Sequence, residues 1–192
     1  MTKQTHNQMS EETRSKLLHA ARQAFTEKGF ANTAMDELTA NVGLTRGALY
    51  HHFGDKKGLL AAVVRQIDQE IDTQLAAISQ NTADKWEAFV QRCLVYLKLV
   101  QQPQVQRIVL LDARTVLGHS HLADSQCVLT MQHLLEELIE AKLIQATPTP
   151  ALAQMLLGAL EQGALWVAQS KQTKTALAQA EQAMLTLLSG LD

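Results

Sequence analysis

The chain has 192 residues, 46% of them apolar and 19% charged, with a net charge of −2, three prolines and two cysteines. That apolar share supports a real core, the scarcity of period-two alternation excludes a β fold, and few prolines with plentiful Ala, Leu and Gln indicate an all-α protein. No run of about 18 apolar residues stands out and the start is polar, so neither a membrane span nor a signal peptide is expected. Cys93 and Cys127 lack CxxC spacing and read as reduced thiols of a cytoplasmic protein.

The charge is unevenly spread. Residues 1–57 carry eight Lys/Arg against six Asp/Glu with four histidines, whereas residues 58–192 carry nine against thirteen. A basic head on an acidic body suits a partner that is touched only locally, such as DNA phosphate.

In chain order, residues 1–9 read as a disordered tail. Ser10 is placed to cap a first helix carrying Leu17, Leu18, Ala21, Ala24 and Phe25, which Gly29 ends. Thr33 is expected to cap a second helix over about 34–41. Asn41-Val42-Gly43 makes a turn, and Thr45 caps a third helix over about 46–52. A helix of that length is too short to persist alone, so its neighbours must brace it and its outer face is free for other work. This is the design of a helix-turn-helix reader of the DNA major groove.

Asp55 caps a long fourth helix with Leu59, Leu60, Val63, Ile67, Ile71, Leu75 and Ile78, expected to run from head to body. Further helices read as about 83–101, 104–117, 121–145, 150–170 and 174–189, with breaks at Pro103 and Thr147-Pro148-Thr149-Pro150. The division implied is a DNA-binding domain at 10–54 and a ligand-binding and dimerisation domain at 55–192, about nine helices in all.

Several side chains on the third helix and just beyond it fit DNA chemistry. The Arg46 fork matches guanine O6 and N7, and Thr45 suits a thymine methyl or a phosphate oxygen. Gly47 lets the backbone approach the duplex closely. Tyr50 and His52 can donate to phosphate, the alternative being packing against the first and fourth helices. Lys56 and Lys57 stand in the first turn of the fourth helix, where a cation opposes the helix dipole unless an anion joins it.

The stretch from Thr13 to Leu60 resembles the TetR/AcrR family of bacterial one-component transcriptional regulators. The residues carrying the resemblance are Ala21, Phe25, Lys28-Gly29-Phe30, Thr33, Val42-Gly43, Gly47, Leu49-Tyr50-His51-His52-Phe53, Lys56 and Leu59-Leu60. It implies that Thr33, Tyr50, His52 and Lys56 hold phosphates while Thr45, Arg46, Gly47 and His51 face the bases. Two positions depart from the pattern: Ala48 lacks a hydroxyl common in relatives, and Asp36-Glu37 sets acids near the DNA side. The resemblance also implies a homodimer joined by the last two helices. Gly158, Ala159, Gly163, Trp166, Leu177, Met184 and Leu188 are the candidate interface, with intramolecular core as the alternative.

An effector cavity is expected among the middle helices, with Trp86, Phe89, Cys93, Tyr96, Asp112, Arg114 and Met131 as candidate lining; ordinary core and a surface ion pair are the competing account. His119, His121, Asp124 and Cys127 lack consistent helical register, so no metal site and no cofactor are expected. The expected function is a repressor that binds a palindromic double-stranded operator as a dimer and is released by an unknown small-molecule effector. The rival is a DNA-bound adaptor that recruits a protein and takes no ligand. No nucleophile–base pair or phosphate-cradling loop suggests an enzyme.

Overall fold

A computed structural model describes residues 6–118 and 126–191. Among them every regular element is a helix: α1 His6–Asn32, α2 Met35–Asn41, α3 Arg46–Phe53, α4 Lys56–Asn81 and α5 Lys85–Leu99. α6 is made of three contiguous pieces, Pro103–Val105, a π-helical Gln106–Ala113 and Arg114–Val116. α7 (Gln126–Glu140), α8 (Thr149–Gln169) and α9 (Thr173–Leu188) complete the body.

α1 begins at His6, so Ser10 lies within the helix and does not cap it, and residues 6–9 are helical where a tail was expected. Gly29, with φ 75° and ψ 167°, breaks the helix near its end. α2 has Ala34 at its N-cap with no side-chain bond. Thr33 fails as the cap because its hydroxyl is turned back to the Gly29 carbonyl oxygen at 2.8 Å. Thr45 and Asp55 do cap their helices, accepting from the amides of Ala48 at 3.2 Å and Gly58 at 2.7 Å.

The short α3 is held by packing on α1 and α4, with Leu49 fully buried in the core that also takes Leu17, Ala21 and Phe25 of α1 and Leu59 and Leu60 of α4. A corner at Gly54 leads into α4, and Gly58 permits the tight approach, since a Cβ there would lie 2.0 Å from the Phe53 carbonyl oxygen. Beyond this point α4 buries Val63, Val64, Ile67, Ile71 and Leu75 along one stripe, packing on α5 and α6. α8 lies between α7, α9 and α5.

By length and composition α8 is apolar enough to cross a membrane, with a mean hydropathy of 1.2, although Gln154, Glu161 and Gln162 interrupt it. Its inner face packs Ala153, Leu156, Leu160, Ala164 and Val167 into the core. Its outer face leaves Met155 73% and Trp166 48% exposed.

Candidate DNA interface and effector cavity

Leu49 faces the core, which turns Thr45, Arg46, Gly47, Tyr50 and His51 to solvent on one side of α3. His52 and Phe53 are half-buried, and the rings of His51 and His52 meet edge to face at 5.3 Å. The Arg46 guanidinium is held by Asp36 of α2, Nε to Oδ1 at 2.9 Å, and lies 5.9 Å from the centre of the Tyr50 ring. Asp36, one of the two acids expected near the DNA side, thus orients the arginine in the free protein. The neighbouring acid Glu37 pairs with Lys28.

Lys56 is half-buried. Its ammonium sits 4.5 Å above the Phe30 ring and donates to the Ala31 carbonyl oxygen at 3.4 Å. Burial lowers its pKa, and Asp112 opposes that shift. Lys57 is exposed. Thr33 is only 4% exposed with its hydroxyl satisfied internally, so it lies behind this surface and not on it.

Asp112, a candidate for the cavity, sits instead where body meets head. Its Oδ2 accepts from the Phe30 amide at 2.7 Å, and Arg107 approaches it at 3.6 Å. The same junction is tied by Arg22, which donates to both carboxylate oxygens of Glu70 at 2.6 and 2.8 Å and to Gln104 at 3.1 Å. Arg107 also lies against Gly29, where a Cβ would fall 1.9 Å from its Nη2. The π-helical stretch of α6 therefore grips the turn that ends α1.

A cleft of about 480 Å³, partly open to solvent, lies between α4, α5, α7 and α8. Of the expected residues, Phe89, Cys93, Tyr96 and Met131 line it, together with Ile71, Leu75, Leu134, Leu157 and Leu160. Trp86 stacks behind Phe89 at 5.9 Å and faces a separate groove beside Leu185 and Leu188. Arg114 acts on Glu161, whose carboxyl burial raises and that arginine lowers.

Sequence reading missed the polar part of this wall. Asp72 pairs with Arg92 at 3.6 Å, and Asp68 stands one turn earlier on α4. Burial, reinforced by Glu161, pushes the Asp68 carboxyl up from 3.8 to about 7. The available signal was register: residues 68, 71, 72 and 75 share one helical face, so two carboxylates fall on an apolar stripe. Burial raises the Cys93 and Cys127 thiols to about 12, leaving both as inert neutral groups.

Of the expected interface residues, Gly158 and Trp166 are exposed, Ala159, Gly163 and Leu177 are half-buried, and Met184 and Leu188 are sealed in the core. His119, His121 and Asp124 lie outside the described residues. Among those described, no three His, Cys, Asp or Glu side chains gather as a metal site would.

Two family models match the chain: "Bacterial regulatory proteins, tetR family" over residues 17–63, and "Tetracyclin repressor-like, C-terminal domain" over residues 86–191. A crystal structure of a TetR-family transcriptional regulator from Pectobacterium atrosepticum is 48% identical, covering 98% of this chain and 97% of that one, with a TM-score of 0.85. The regulator TtgR of Pseudomonas putida is 32% identical over 64% of this chain and 58% of its own length. The chain thus spans less than two thirds of that curated relative, and likewise 62% of the Tn10 TetC protein of Escherichia coli. FadR of Bacillus subtilis, solved with stearoyl-CoA, shares the fold at 16% identity and a TM-score of 0.74, over 93% of this chain and 100% of that one. With the second model matching more than half its length, the chain belongs to the TetR family of bacterial transcriptional regulators, a family of DNA-binding proteins and not of enzymes.

Proposed function

We propose that this regulator is a cytoplasmic repressor that occupies a palindromic operator as a homodimer and leaves it when a small molecule enters the cleft of the body. The observation that carries this reading is the braced α3, whose outward face gathers Thr45, Arg46, Tyr50 and His51 with lysines at the start of α4 beside it. In this reading Arg46 reads a base, Asp36 having set its direction, while Tyr50, His52, Lys56 and Lys57 grip phosphates. Thr33 supports the surface from behind. Residues 10–54 act as the reading head and 55–192 as the sensing and pairing body.

Dimerisation is supported by the apolar outer faces of α8 and α9, where Met155, Trp166 and Leu187 are 73%, 48% and 55% exposed. A two-fold axis there brings two copies of α3 to successive major grooves, about 34 Å apart. Coupling runs through α4, which borders both head and cleft, and through α6, whose Asp112 holds the Phe30 amide. An effector releases DNA only to the extent that it binds the spread arrangement of heads better than the operator-bound one. That FadR, a regulator sharing this fold, is solved in complex with stearoyl-CoA supports a small-molecule effector for this chain as well.

The test is a gel-shift titration on DNA upstream of the protein's own gene. Tyr50→Ala and Lys57→Ala are expected to weaken binding to all sequences and reduce the salt slope by about one each, whereas Arg46→Ala relaxes base choice. Unchanged affinity in all three would remove α3 as the reader. Release of the same DNA by a metabolite extract of the host tests the effector half, and extract that never releases it would sink that half alone.

A further inference from the structure

Two acids stand in the first turn of α2, Asp36 and Glu37, and they go to different partners. Glu37 turns back to Lys28 of α1. Asp36 turns to the short α3, where its Oδ1 lies 2.9 Å from Arg46 Nε. Both side chains of that pair are more than half exposed, and Arg46 in turn lies 5.9 Å from the centre of the Tyr50 ring. Asp36, Arg46 and Tyr50 therefore form one continuous outer surface across α2 and α3. A carboxylate on a surface that meets polyanionic DNA runs against the charge of its partner.

Stability does not account for it. The positive end of α2 favours an acid in its first turn, but Glu37 already meets that need. An exposed ion pair contributes about 1 kcal/mol at most. The contact is made through Nε, so the guanidinium keeps Nη1 and Nη2 for guanine O6 and N7. The carboxylate stands to one side of that fork, 2.9 Å from Nε. Stacked base pairs are about 3.4 Å apart, so it falls at the neighbouring pair. There it discriminates by elementary chemistry. Guanine and thymine turn only hydrogen-bond acceptors to the major groove, adenine an acceptor beside its donor, and cytosine a donor alone. An ionised carboxylate only accepts, so it bonds cytosine N4 and meets an acceptor on each of the other bases.

We infer that Asp36 is a specificity-determining residue, accepting from cytosine N4 at the base pair next to the guanine read by Arg46. The two side chains then read a guanine–cytosine step as a unit, the arginine by its fork and the carboxylate by admitting the one edge that carries no acceptor. This rests on the reading of α3 as the DNA-binding element and adds to it a base contact from α2.

The probe is a randomised duplex library, selected on the purified full chain and sequenced, followed by anisotropy titration of the winning duplex and its single-pair variants. Wild type is expected to select a motif in which a guanine, lost in Arg46→Ala, is flanked by a cytosine. Asp36→Ala should lose the cytosine and keep the guanine. Asp36→Asn should exchange the cytosine for adenine, whose N6 and N7 match an amide. Glu37→Ala, whose carboxylate pairs with Lys28, should leave both positions intact. In titrations, replacing the cytosine should weaken wild-type binding about tenfold and Asp36→Ala binding less than about twofold. Circular dichroism checks each fold, and the near-isosteric Asp36→Asn decides alone if Asp36→Ala does not fold.

A wild-type motif with no cytosine beside the Arg46-dependent guanine overturns the inference, as does a cytosine preference that survives either Asp36 substitution. Loss of the guanine alone in Asp36→Ala would reduce Asp36 to orienting Arg46 and overturns it too. In all three cases α3 remains the reader. No selected motif at all, or a motif unchanged by Arg46→Ala, brings down that reading and the inference with it.

Discussion

Replacing Asp68 with asparagine should make the protein more stable at neutral and alkaline pH. Burial raises the folded-state pKa of Asp68 from 3.8 to about 7, so the folded chain holds this proton more tightly than the unfolded chain does. Between those two values the folded state carries a proton that the unfolded state has lost, and stability falls as pH rises until Asp68 is ionised in both. Each tenfold gap in proton affinity is worth about 1.4 kcal/mol, so the whole interval amounts to about 4 kcal/mol, of which about 2 kcal/mol falls between about pH 5.5 and 8. Glu70, held below its ordinary value first by its hydrogen bond from Arg22, titrates in the acid range and adds no slope in that window. Groups that titrate alike in both proteins cancel when the variant is subtracted from wild type. The assay is urea unfolding across the window at one fixed protein concentration, because association linked to folding makes stability depend on concentration. The advantage of Asp68→Asn should grow by about 2 kcal/mol from the acid to the alkaline end. Parallel profiles would show that folding leaves the Asp68 carboxyl near its ordinary value and would refute this reasoning.

Gly58→Ala should cost about 1–3 kcal/mol and weaken DNA binding, because its Cβ would fall 2.0 Å from the Phe53 carbonyl oxygen and push α3 off α4; thermal melting and gel shift read both effects. Asp112→Ala removes the carboxylate that the Phe30 amide donates to at 2.7 Å, for a loss of about 1.5–3 kcal/mol in urea unfolding and weaker operator release by extract. A variant as stable and as releasable as wild type would exclude this junction from the coupling. Trp166→Asp or Leu187→Asp should convert the dimer to monomer in sedimentation and abolish operator binding, since both side chains lie on the exposed apolar faces of α8 and α9. A dimer that survives both changes would place the interface elsewhere.

Much of this protein was legible in the order of its residues because the signals are local. Helix periodicity, the caps Thr45 and Asp55, the corner at Gly54 and the outward set on α3 depend on neighbours within a few positions, so α3 and α4 fall where the pattern puts them. The caps at Ser10 and Thr33 failed for equally local reasons: α1 starts earlier than its first good cap, and the Thr33 hydroxyl finds a closer carbonyl behind it. Packing between distant segments decided the rest. Asp112 and Arg114 are two residues apart, yet one reaches the turn after Gly29 and the other acts on Glu161, because two steps along a helix turn side chains to opposite sides and different segments pack there. Met184 and Leu188 show the helical spacing of an interface but are consumed by the body's own core, leaving Trp166 and Leu187 outside. The sequence by itself determined the helices, the short reading element and the family resemblance, since these rest on contacts between near neighbours. Only the tertiary structure decided that Glu161, 93 positions along the chain, comes near enough to Asp68 to help raise its carboxyl, because burial and charge balance depend on which helices meet.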